Sequence, residues 1–135
     1  ALEQAGAYIN YDGGQKPFST SDYKLGGERN VGLTASSGAG SLRAIVHTHP
    51  TNDAVSGWRG IYSADPNYGY QGFTGLDANG NVVGTDTLVG IKKDISVYAA
   101  TPNGSLTKFD GRGFNDAVNR FDWTVKASDH VELSP

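Results

Sequence analysis

The chain has 135 residues, 14 acidic against 11 basic side chains, a formal net charge of −3, and neither Cys nor Met. That length makes one domain the natural count and lets it bury a core without cross-links. Absent Cys excludes disulfides, thiolate zinc sites, iron–sulfur clusters and a thiol nucleophile; the lack of a basic cluster argues against a nucleic-acid partner, and no apolar run is long enough for a membrane span.

In chain order, Ala5–Tyr11 reads as a strand stopped by Asp12-Gly13-Gly14. A short strand is expected within Lys16–Lys24 and another over Arg29–Ala35. Leu42–His47 is the clearest strand of the first half, closed off by Pro50. Thr51–Gly72 is aromatic and rich in Gly, Pro and Asn, which predicts a long loop. Phe73–Asp77 and Asn81–Val83 flank the hairpin dipeptide Asn79-Gly80. Thr85-Asp86 precedes a short helix through Lys93, with either residue as its N-cap. Ile95–Ala100 is strand-like and returns through Pro102-Asn103-Gly104 to Ser105–Phe109. A second helix is expected over Asn115–Phe121 and a last short strand over Val131–Leu133. The expected fold is α+β: a strand-rich single domain with a central mixed β-sheet, short helices and a long aromatic loop. Its 19 Gly, about double the usual share of about 7%, suit such a turn-rich chain.

The chemistry concentrates in His47-Thr48-His49-Pro50. Residues i and i+2 of a strand face one side, so both imidazoles point the same way. Two converging imidazoles suit Zn²⁺, and a catalytic zinc adds a third protein ligand, an open position and a nearby carboxylate base. The bland alternative is a pair of exposed loop histidines. His130, beside Glu132, is a further candidate metal group, more simply read as an exposed tail histidine. Trp58, Tyr62, Tyr68, Tyr70 and Phe73 crowd the long loop and suit either a groove for peptide or sugar, or a small core of their own.

Val46-His47-Thr48-His49-Pro50 resembles the histidine motif of the JAB/MPN (JAMM-type) metallopeptidases, whose pattern is an upstream Glu, His-Ser/Thr-His-Pro, then Ser/Thr-x-x-Asp. Glu3-Gln4-Ala5-Gly6-Ala7-Tyr8-Ile9 resembles the segment carrying that Glu, and Val97–Asp110 resembles the strand–turn–strand ending of a branch found at the C-termini of bacterial Rhs-type and other polymorphic toxins. The resemblance implies a zinc-dependent peptidase or isopeptidase in which metal-activated water attacks an amide carbonyl. It implies His47 and His49 as metal ligands and Glu3 as general base. For the Asp ligand, Thr74-Gly75-Leu76-Asp77 meets the motif strictly, which favours Asp77 and makes Thr74 the oxyanion donor. Asp86, at a helix start but with Val83 where Ser or Thr belongs, competes for the same position, and Asp65 is a distant third. The resemblance further implies a toxin domain released from a larger carrier, which fits a chain without Met, delivered to act in a target cell and countered by an immunity protein. A catalytically inactive binding module on the same scaffold, and a carbohydrate-binding β-domain, are the competing readings.

Overall fold

The computed structural model describes residues 6–11, 18–20, 41–67, 69–76, 79–120 and 123–134. The strands in chain order are β1 (Gly6–Tyr11), β2 (Phe18–Thr20), β3 (Ser41–Thr48), β4 (Ile61–Ser63), β5 (Tyr70–Gln71), β6 (Thr74–Leu76) and β7 (Val82–Gly84), then β8 (Ser96–Ala100), β9 (Leu106–Asp110), β10 (Thr124–Lys126) and β11 (Val131–Ser134). Helix α1 (Asp86–Lys93) precedes β8, helix α2 (Gly111–Arg120) follows β9, and a 3₁₀ turn, Ala127–His130, leads into β11. The chain is thus α+β with a mixed central sheet, in the order β11-β9-β8-β3-β1-β2. All its neighbours pair antiparallel except β3 with β8, which run parallel from Ala44↔Ser96 to Thr48↔Ala100.

Alternation gives this sheet one buried face. Val97 and Ala99 of β8, Thr107 and Phe109 of β9, and Ile45 and His47 of β3 are buried, whereas Tyr98 and Lys108 on the opposite face are half-exposed. Both helices lie over the buried side. Leu88 and Ile91 of α1 and Phe114 and Ala117 of α2 meet Phe109 and Ala99 there, with Phe73 and Val55 from the long connection. The Phe114 ring stands 5.6 Å from that of Phe73 and 5.7 Å from that of Phe109. Truncating such a fully buried ring costs about 3–5 kcal/mol.

The segment expected to be a loop, Thr51–Gly72, contains β4 and β5 and joins a small sheet in the order β10-β4-β5. β4 is the central strand, and its partner β10 lies some sixty residues downstream, a pairing with no local signal. Helix α2 begins at Gly111, four residues before the expected Asn115. Gly111 is needed there because a Cβ would lie 2.2 Å from the Gly90 carbonyl and 2.4 Å from that of Ile95. Close approach of the two helices thus outweighs the low helix propensity of Gly-Arg-Gly. The strand expected within Lys16–Lys24 is β2, while the strand expected over Arg29–Ala35 lies outside the described residues. Among the described residues no helix is long and apolar enough to cross a membrane.

Candidate metal centre

The site forms where the parallel pair ends. Helix α1 joins β8 through Asp94 and Ile95 alone, so it runs back along the sheet and brings its first residue, Asp86, over the carboxyl ends of β3 and β8. His47 is the last buried residue of β3, and His49 stays in line with the sheet because its amide donates to the Ala100 carbonyl at 2.8 Å. The two imidazoles therefore share one face with Ile45, at 6% and 7% exposure. His47 Nε2 lies 3.1 Å from Asp86 Oδ1, His49 Nε2 lies 3.1 Å from Asp86 Oδ2, and the two Nε2 atoms are 2.9 Å apart.

The protons of this cluster can be placed from its hydrogen bonds. His49 Nδ1 is 2.9 Å from the Asp53 carbonyl, which only accepts, so Nδ1 carries the proton and donates it. In a neutral His49 the lone pair then sits on Nε2, aimed at the Asp86 carboxylate and at His47 Nε2. Three electron-rich groups converge with at most one ring proton among their facing atoms unless an imidazole takes up another proton or a metal ion sits between them. Zinc bonds of 2.0–2.1 Å at tetrahedral angles place ligand atoms about 3.3 Å apart, so these atoms need spread by only a few tenths of an ångström. Two imidazoles and one carboxylate form a donor set that could hold a metal ion; a carbonyl acceptor behind His49 is the usual way such a ring is oriented.

Asp86 is held from three sides. Burial pushes its carboxyl group up, but hydrogen bonding with His47 and His49, the charge of His47 and the Ser56 amide together outweigh burial and hold it well below the usual carboxylate range. Ser56 N–H donates to Asp86 Oδ2 at 2.8 Å, and Ser56 Oγ accepts the Asp86 N–H at 2.8 Å. The Ser56 carbonyl also accepts the Thr87 N–H at 3.1 Å, and Thr85, the N-cap of α1, accepts from the Leu88 N–H. Ser56 thus caps α1 from thirty residues away while tethering the carboxylate, a role invisible to motif reading because its partners are remote in sequence. The neighbouring Gly57 has φ +81°, and a Cβ there would lie 2.1 Å from Thr87 Oγ1, so only glycine lets the clamp close.

The other expected residues fall as follows. Of the carboxylates expected to compete for the ligand position, Asp86 stands against the histidines; Asp77 and Glu3 lie outside the described residues. Thr74 is exposed on β6 opposite Gly84, and among the described residues no hydrogen bond ties its side chain to the cluster. Asp65 accepts the Asn67 N–H at 2.9 Å within its own turn. His130 sits on the 3₁₀ turn with its ring edge-on to Phe114 at 5.8 Å, away from the cluster. Beside His49 opens a cavity of about 430 Å³ that reaches past Asp53 and Ser56 to Trp58 and Arg59. Compared with family models, with curated proteins and with solved structures, the chain matches none.

Proposed function

We propose that the protein is a zinc-dependent peptidase or isopeptidase of JAMM type, acting as a toxin domain on a protein or peptide substrate. The observation that supports this most is the convergence of His47, His49 and Asp86, with the His49 ring fixed by the Asp53 carbonyl so that its lone pair points into the cluster. Zinc held there supplies Lewis-acid polarisation of an amide carbonyl and lowers the pKa of the water it binds. The chain's own residues do the rest. His47 and His49 present their Nε2 atoms, and Asp86 stays ionised and balances charge. The cavity beside His49 admits an extended substrate. Glu3 takes the proton from the attacking water and delivers it to the leaving amine.

The test combines elemental analysis with hydrolysis of a peptide library. The expected result is one zinc per chain, loss of zinc and turnover in His49→Ala and Asp86→Ala, and loss of turnover with zinc retained in Glu3→Gln. Zinc bound without turnover of any peptide or isopeptide supports the inactive binding module instead; no affinity for zinc overturns the metal reading altogether. A second reading, carbohydrate binding, has one observation in its favour. A separate cavity of about 430 Å³ is lined by Tyr62 and Tyr70, whose rings are 5.3 Å apart, with Asp94, Asp116 and Asn119 at its wall. That reading expects glycan binding that survives loss of both histidines.

A further inference from the structure

We infer that the cavity beside the metal centre binds a carboxylate of the substrate through Arg59, an inference that rests on the peptidase reading. The cavity starts at a proposed metal ligand, His49, and among the described residues Arg59 is the one Lys or Arg in its lining. A substrate whose carbonyl sits at the His47–His49–Asp86 cluster therefore places its adjoining groups toward Arg59. The guanidinium lies over the Trp58 ring at 4.3 Å, and Trp58 is itself packed against the core, so the fork is held on a rigid platform with its charge intact. Arg59 is exposed, and among the described residues it makes no ion pair. The acidic side chain of the lining, Asp53, is engaged by the Thr51 hydroxyl, while its carbonyl is taken by His49. A planar fork beside an aromatic face matches a carboxylate with a short aliphatic stem: the stem covers indole and the two oxygens meet two N–H groups. An acidic side chain and a free C-terminus both offer this chemistry.

Four single-residue hydroxamates, which anchor on the metal, separate the sources: glutamate amide, glutamine amide, lysine amide, and glutamine with a free carboxylate. Binding to zinc-loaded protein is followed by Trp fluorescence. Glutamate amide tighter than glutamine amide by about tenfold identifies a side-chain carboxylate; free-acid glutamine tighter by the same factor identifies a C-terminus. The metal attracts carboxylates too, so the deciding arm is Arg59→Glu, in which the lysine amide becomes the tightest of the four. Equal affinities in the unaltered protein, or a carboxylate preference that survives Arg59→Glu, overturn the inference while leaving the peptidase reading standing. No zinc-dependent binding of any hydroxamate overturns both.

Discussion

Ser56→Ala removes one hydroxyl and tests whether the clamp on Asp86 matters. The lost group accepts the Asp86 N–H at 2.8 Å, one of the α1 amides with no partner inside the helix. The Ser56 amide still donates to Asp86 Oδ2, and its carbonyl still accepts from Thr87, so one of three contacts is lost. Loss of a side-chain cap costs about 1 kcal/mol, and Ser56 is exposed enough for water to replace part of it. Melting should therefore fall by roughly 3–5 °C for a domain of this size. The effect on metal should be larger in proportion. Asp86 keeps the Ser56 amide but loses the hydroxyl that holds its backbone, and weaker positioning of the ligand lowers metal affinity by about tenfold, the low end of the usual range for such partners. The assays are urea unfolding of the metal-free protein and competition for zinc against a calibrated chelator. Zinc affinity unchanged within about twofold would refute the claim that Ser56 positions the carboxylate. A stability loss above about 3 kcal/mol would mean that Ser56 supports far more than the first turn of α1.

Zinc at about a thousandfold excess over its dissociation constant should stabilise the fold by about 4 kcal/mol, seen as a rise in melting temperature that is absent in His47→Ala and His49→Ala. Zinc affinity should fall on acidification, because protons compete with the metal for the imidazole nitrogens, while Asp86, held well below the carboxylate range, stays ionised. Chelator competition at pH 5.5 and 7.5 reads the difference; a flat profile would place the metal elsewhere. Gly57→Ala should destabilise the protein by about 3 kcal/mol or more, because it adds strain at φ +81° to a clash with the fully buried Thr87; urea unfolding measures it.

The histidine pair was legible because it continues the alternation of a strand, Ile45, His47, His49, and a period of two survives in any sequence that buries one sheet face. The helix that carries Asp86 was legible for a similar reason, through Thr85 and the apolar spacing of Leu88 and Ile91. That Asp86 meets the histidines was not. It depends on where α1 lies relative to β3, a matter of sheet order rather than local pattern. Ser56 was hidden on the same grounds. A cap supplied from thirty residues away leaves no trace near the helix it caps. The strands β4, β5 and β10 are two or three residues each, too short to show alternation, and are fixed by pairing across most of the second half of the chain.

The parallel pairing of β3 with β8 also dictates when the centre comes into being. The β8–β9 and β6–β7 hairpins close over short turns, whereas β3 meets β8 only after all of residues 49–95 have been gathered in. The histidines lie at the start of that gathered segment and Asp86 near its end, so the cluster forms only once the segment has folded back. A metal ion held there as proposed would act as a latch set late in assembly, lengthening the lifetime of the folded chain by slowing its opening.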